Sequence, residues 1–288
     1  MIGACLLRGW ARQRWLPFGV RDRLLRLLVP PERLGGQSFD TRVFGLRYRG
    51  DLGNFVDWMV YFYGTYERGI QTLLGHAGDQ AGPGAVFLDI GANIGLHSLY
   101  MSAHAQHIHA FEPWLPARTR LSAAVADNDL RLIALHPFAL GEHDCELPFY
   151  EPASANLGTG SFCRGLNVNR PHGVLPVRQG DGVLNALGLD RVDVIKIDTE
   201  GFEIEVLRGL RQSLARFNPV VVVEISPRAH GSLEDLDLAG LFPPGWDVVW
   251  IDDHPERYRL RTKVPQDCMS VMILAGPPEK VRALPRRG

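Results

Sequence analysis

The chain has little of what would tie it to a membrane interior, a disulfide framework or a polyanion. Its four cysteines, Cys5, Cys145, Cys163 and Cys268, stand far apart, with no Cys-x-x-Cys pair and no histidine at ligand spacing. Neither a zinc site nor a disulfide scaffold is indicated, and the thiols read as incidental groups in a reducing compartment. No uninterrupted apolar run approaches the roughly 20 residues of a membrane span, and the apolar start from Met1 to Leu7 has no basic region before it. A cytoplasmic location is expected. Charge of one sign is lacking too: 31 Lys and Arg face 32 Asp and Glu, a formal net charge of −1, which gives no overall bias toward nucleic acid. Also missing is a Gly-x-Gly-x-x-Gly turn. The candidate series is Gly91, Asn93, Gly95, with Asn93 where a dinucleotide fold needs a glycine to admit the pyrophosphate. An NAD-dependent oxidoreductase is thereby disfavoured.

What is present is organised around Val86-Phe87-Leu88-Asp89-Ile90-Gly91-Ala92-Asn93-Ile94-Gly95. The apolar start is compatible with a buried parallel strand, and Gly91 and Gly95 permit positive φ and close approach of a ligand to the main chain. Asp89 is an acceptor suited to a ligand ammonium group. A helix starting near Ala92 or Asn93 would direct its amino-terminal dipole at the same space. A second strand, His107-Ile108-His109-Ala110-Phe111, ends in Glu112, a carboxylate suited to both hydroxyls of a ribose. Adenosine with an amino-acid tail fits this pair of acids better than NAD does.

Asp-Ile-Gly-Ala-Asn-Ile-Gly at 89–95, Phe111-Glu112-Pro113, and Lys196-Ile197-Asp198-Thr199-Glu200-Gly201-Phe202-Glu203 together resemble the motifs of the FkbM family of S-adenosylmethionine-dependent methyltransferases, over roughly residues 60–275. The resemblance implies an α/β class I methyltransferase fold, a Rossmann-like, doubly wound sheet of seven strands in the order 3-2-1-4-5-7-6 with the last antiparallel. It also implies S-adenosylmethionine as cofactor and a hydroxyl of a sugar, glycolipid or secondary metabolite as acceptor. Gly64-Thr65-Tyr66-Glu67 precedes the first core strand in such sequences and helps close the cofactor site, making Glu67 a cofactor contact. Class I enzymes meet the adenine near Pro137 to Gly141, which nominates Ala139, with Asn128 beside it.

Along the chain, residues 1–60 read as a basic, aromatic extension, 61–276 as the methyltransferase domain and 277–288 as a tail. Seven arginines (8, 12, 14, 21, 23, 26, 33) stand against Asp22 and Glu32 before residue 35. Val20, Leu24, Leu27 and Leu28 share one helical face. That face either packs on the domain, lies on an anionic membrane surface as a peripheral anchor, or receives an acidic partner. Residues 41–64 read as a hairpin followed by a helix, and Gly78 to Gly84 as a loop before the core. Further strands are expected near 130–135, 192–198, 220–224, 246–251 and 270–274. Leu207, Leu210, Leu214 and Phe217 mark one helix. Residues 150–180, rich in Gly, Asn, Ser and Pro, read as an ordered insertion over the site where acceptor choice resides.

For the chemistry, the departing thioether is neutral, so positioning is most of the work. An alcohol must still lose its proton. Asp198 and Glu200 are the catalytic candidates, with Glu203 and Glu224 nearby and His172 a weaker one. Such clustered carboxylates are suited either to raising one another's pKa or to holding Mg²⁺ through oxygen ligands. Glu203 equally fits a helix first turn, and Lys196 equally fits the neutraliser of an adjacent acid. His107 and His109, on one strand face without a third ligand, read as ordinary histidines. A non-catalytic protein docking through its basic amino terminus is the remaining alternative, disfavoured by Asp89, Glu112 and Asp198 standing together.

Overall fold

The computed structural model describes every residue except 1, 14, 153–156, 165–168, 227–238 and 263–269. Arg14, Cys268 and two parts of the 150–180 insertion therefore lie outside the described residues. Two helices, α1 (Ile2–Ala11) and α2 (Phe18–Leu28), lead to the hairpin β1 (Ser38–Val43) and β2 (Leu46–Asp51), then α3 (Phe55–Tyr63) and α4 (Arg68–Ala81). The central sheet follows with β3 (Val86–Ile90), α5 (Leu96–Met101), β4 (His107–Phe111), α6 (Leu115–Asp127) and β5 (Ile133–His136). Next come β6 (Ala139–Gly141), β7 (Cys145–Pro152), β8 (Asn169–Gln179) and α7 (Gly180–Ala186). The chain returns with β9 (Val194–Ile197), α8 (Glu203–Gly209), α9 (Arg211–Phe217), β10 (Val220–Ile225), β11 (Asp247–His254), β12 (Arg257–Arg261) and β13 (Val271–Gly276).

Eight strands form one sheet in the order β12-β11-β13-β10-β9-β3-β4-β5. β13 runs antiparallel to both β10 and β11, while β10, β9, β3, β4 and β5 are mutually parallel. Leaving out β12, this is the expected 3-2-1-4-5-7-6 with its reversed last strand. The eighth strand is the antiparallel return of β11, register Ile251 to Leu260. Strands buried on both faces need near-continuous apolar residues, and Val86 to Leu88 and Val220 to Val223 meet that requirement. One face packs Leu88, Ile90, Ile195, Ile197, Val221 and Val223 against α7, α8 and α9. The other packs Phe87, Ile108, Ala110, Val194 and Val222 against α4, α5 and α6.

Several expectations are corrected. Residues 78–81 are helical rather than loop, because Gly75 and Gly78 let α4 press against the turn after α5: a Cβ on Gly78 would lie 2.7 Å from the His104 carbonyl oxygen. The helix after β3 begins at Leu96, not near Ala92, since Asn93 and Gly95 hold left-handed conformations (φ 51° and 83°) that no helix tolerates. Helix 203–217 breaks at Leu210. The insertion is built around a three-stranded sheet, β6-β8-β7, with a bulge between Phe149 and Tyr150. Residues 277–288, set apart as a tail, pack on the domain: Val281 and Leu284 are buried in the sheet's helical layer, and Arg286 and Gly288 hydrogen bond to the free edge of β12.

The largest departure is in α2. Its inward face is half-buried Phe18 with buried Arg21 and Leu25, whereas Val20, Leu24, Leu27 and Leu28 are exposed. Arg21 is taken inside because its guanidinium finds acceptors there: Leu16 O at 3.0 Å, the Ala11 carbonyl, and Glu256 Oε1 at 2.7 Å. Leu25 joins Ala11, Trp58, Met59 and Phe62 in a small core that fastens α1 and α2 to α3, and Trp58 Nε1 donates to Val29 O at 2.8 Å.

Candidate active site

Parallel pairing sets the chemistry. Asp89 of β3 lies directly opposite Lys196 of β9, and Lys196 opposite Val222 of β10. Continuing that register by two residues brings Gly91, Asp198 and Glu224 side by side at the carboxyl edge, where open α/β sheets take ligands. Gly91 is required there. Its φ is 80°, and a Cβ would sit 1.8 Å from the Asp198 carbonyl oxygen. Gly95 makes room for Leu121 of α6, 2.1 Å from the site of a Cβ. Both glycines therefore admit protein neighbours.

A cleft opens at this edge, lined among others by Gly91, Asn93, Glu112, Ala139, Asp198 and Glu200. One wall is aromatic: Trp114, Phe149, Phe162 and Phe202 succeed one another with ring centroids 6.1, 5.3 and 5.1 Å apart. Phe149, Gly158, Gly160 and Phe162 place the insertion on this cleft. Glu112 accepts the backbone N–H of Asn93 at 2.8 Å and of Trp114 at 2.9 Å, which leaves each oxygen a second lone pair. Burial raises its pKa to about 7 despite those bonds. Trp114 Nε1 and Asn93 Oδ1 are buried with no partner among the described residues.

Behind the cleft stands a charged cluster. Asp89 is buried; it accepts Ser98 Oγ at 2.6 Å, and its other oxygen has no partner among the described residues. Lys196 Nζ donates to Asp198 Oδ2 at 2.8 Å. Burial opposes the ammonium charge, but Asp198, Glu67 and Asp89 outweigh it and raise the pKa. A second cavity, open to solvent, is lined by Glu67, Glu224, Trp250, Asp252, Asp253 and Arg261 among others. Burial raises Glu224 to about 8, with Asp198 and Glu67 adding to it. Burial likewise lifts Glu67 to about 7, Lys196 opposing. Glu67 is held at φ 52°, with its Oε2 3.4 Å from a deeply buried His97 whose pKa burial pushes well down.

Of the residues nominated from sequence, Gly91, Asn93, Glu112, Ala139, Asp198 and Glu200 thus meet on the cleft, and Glu67 lines the second cavity. Asp89 and Ala92 are buried without lining either. Asn128 lies elsewhere, its amide bonded to Arg47 N at 2.7 Å and to Arg47 O and Ala124 O. Glu203 ties the turn after β9, accepting Thr199 N, Thr199 Oγ1 and Gly201 N at 3.1, 3.0 and 2.8 Å. His172 pairs with Glu151 at 2.9 Å on an exposed strand. His109 contacts His136 at 3.1 Å. Among the described residues no three His, Cys, Asp or Glu side chains are grouped as metal ligands, so the donor set does not support Mg²⁺. Sequence reasoning missed the aromatic wall and the partnership of Glu67 with Glu224. The first had a signal in the aromatics of the insertion, and the second had none, because residues 67 and 224 meet only through the sheet.

The strand order, with its reversed last strand and a cleft at the carboxyl edge, is the Rossmann-like fold of class I methyltransferases. The chain belongs to the family of the FkbM methyltransferase domain, which it matches over residues 89–240. It is 28% identical over 177 residues to the hexuronic acid methyltransferase AglP of Haloferax volcanii, covering 60% of this chain and 68% of that one. It is 30% identical over 185 residues to the AMB antimetabolite synthetase AmbE of Pseudomonas aeruginosa, spanning 52% of this chain and only 9% of that protein. A solved FkbM methyltransferase from Methylobacillus flagellatus superposes with a TM-score of 0.46 at 17% identity, over 66% of this chain and 43% of that one.

Proposed function

We propose that this methyltransferase uses S-adenosylmethionine to methylate a hydroxyl group of a sugar or another small polyhydroxylated molecule. The observation that carries the reading is Asp198, held by Lys196, on the aromatic-walled cleft with Glu112, its charge acting on Glu67 and Glu224 of the second cavity. The residues fit the cofactor's parts. The aromatic wall and Ala139 suit an adenine, and the free lone pairs of Glu112 suit ribose hydroxyls. The unpartnered oxygen of Asn93, on the cleft wall, suits a donor at the amino-acid end. When bound, the cofactor supplies a methyl group on a sulfonium whose departure as a thioether needs no acid.

The chain's own part is to hold the acceptor and take its proton. Asp198, fixed by Lys196, orients the hydroxyl. Glu224 is the stronger candidate for the proton acceptor, because burial, with Asp198 and Glu67, raises its basicity more than Ser270 and Lys196 lower it. Glu200 belongs to the cofactor side, on the cleft wall. The likeness to a hexuronic acid methyltransferase supports a sugar as acceptor.

Calorimetric titration with S-adenosylmethionine and, separately, NADH tests the cofactor. Micromolar binding of the first alone, weakened tenfold or more by Glu112→Ala, is expected. Binding of NADH alone would overturn the reading, and binding of neither would favour a non-catalytic docking protein. With an acceptor in hand, kcat should rise with pH through about 8 as Glu224 loses its proton. Glu224→Gln should remove that limb and lower kcat roughly 10²- to 10⁴-fold; an unchanged pH profile would move the proton acceptor elsewhere.

A further inference from the structure

The described residues include seven large apolar side chains exposed beyond two fifths, and five of them, Trp15, Val20, Leu24, Leu27 and Leu28, lie on or just before α2. At about 100° of rotation per residue, Val20, Leu24, Leu27 and Leu28 cover roughly 100° of the helix circumference. This is the width of stripe that a surface helix normally turns toward a core. Here the core side is a different stripe, Phe18, Arg21 and Leu25, sealed by the buried guanidinium and its three acceptors. The apolar stripe cannot rotate inward without pulling Arg21 off those partners. The helix is therefore locked with its leucines outward, Leu27 and Leu28 at 70% and 63% exposure.

The charges around the stripe are ordered. Arg23 flanks it and is exposed, and past the helix Arg33 is exposed beside an equally exposed Glu32. The acid of the helix, Asp22, stands on the opposite side and is tied to Arg26 at 2.7 Å. An apolar stripe bordered by arginine, with its acid turned away, is complementary to one kind of surface: acyl chains beneath anionic headgroups. No helix of the described residues is long and apolar enough to cross a membrane, which leaves contact in the interfacial plane.

We propose that α2 is a peripheral membrane anchor that lays Val20, Leu24, Leu27 and Leu28, with Trp15, into the headgroup boundary of an anionic bilayer. The anchor is independent of the methyl-transfer reading.

The test is cosedimentation of the full chain with vesicles of equimolar phosphatidylcholine and phosphatidylglycerol, and with phosphatidylcholine alone. Wild type should bind the anionic vesicles at low salt, lose most of that binding at high salt, and bind the neutral vesicles at least several-fold more weakly. The double variant Leu27→Glu/Leu28→Glu should lose binding tenfold or more, and Arg23→Glu several-fold, with thermal unfolding of both unchanged because the altered side chains are exposed. Failure to bind anionic vesicles, or equal binding by the double variant, would overturn the proposal. So would a dimer, seen by sedimentation velocity, that the double variant abolishes in the absence of vesicle binding: a second copy would then be what covers the stripe.

Discussion

At the scale of single residues, the site is governed by what two neighbouring strands force together. Asp89 and Lys196 face each other because β3 and β9 pair in parallel at that register, and the glycine two residues past Asp89 exists because the Asp198 carbonyl occupies the space of its Cβ. Gly91→Ala would meet both a positive φ and a backbone oxygen at 1.8 Å. We expect it to cost about 2–4 kcal/mol in urea unfolding and to weaken cofactor binding by distorting Asp198. Full retention of both would mean that the turn can relax in a way its hydrogen bonds from Gly91 N and Ala92 N to Phe111 O do not suggest.

At the scale of elements, the β1–β2 hairpin is fastened by one acid. Asp57 of α3 is fully buried and accepts from Tyr48 Oη at 2.6 Å, from Asp51 N at 2.9 Å and from two nitrogens of Arg120 at 2.8 and 2.9 Å. It thereby joins α3, β2 and α6. Removing one member of a buried ion pair leaves the other charge uncompensated, so Asp57→Ala should lose about 3–5 kcal/mol. The expected signature is a lowered urea midpoint together with faster hydrogen exchange in the hairpin, and a loss within 1 kcal/mol would argue that Arg120 finds water instead. The same logic, applied to Arg21, explains why α2 buries an arginine and leaves four aliphatic residues outside.

For the whole molecule, the buried acids set a pH dependence. Glu67, Glu112 and Glu224 have pKa values raised by burial from 4.5 to about 7, 7 and 8. Between pH 4.5 and 8 the folded chain therefore holds protons that the unfolded chain has released. Stability from these groups is complete below pH 4.5 and is lost as pH rises through 7 to 8. Lys196, raised above an already high value, stays charged throughout and adds no slope. The melting temperature of the ligand-free protein should fall between pH 5.5 and 8.5, and Glu112→Gln should flatten that fall. A midpoint rising steadily over this range would contradict the assignment of these carboxyls as buried.

The sequence alone determined the sheet and its acids, because a strand buried on both faces must be apolar along its length and a carboxylate at its end interrupts that run visibly. Val86 to Asp89, His107 to Glu112 and Val192 to Asp198 could be read in this way, and with them the cleft residues Gly91, Asn93, Glu112 and Asp198. The insertion's strands β7 and β8 could not, since their residues alternate weakly and are paired mostly with each other. Only the tertiary structure decided which face of α2 turns inward: periodicity ranks faces by apolarity, whereas the fold chose the face whose arginine met three acceptors. Likewise only the fold brought Glu67 and Glu224 to one cavity. Their proximity depends on strand order and register, which act between residues far apart in the chain and leave no local pattern in it.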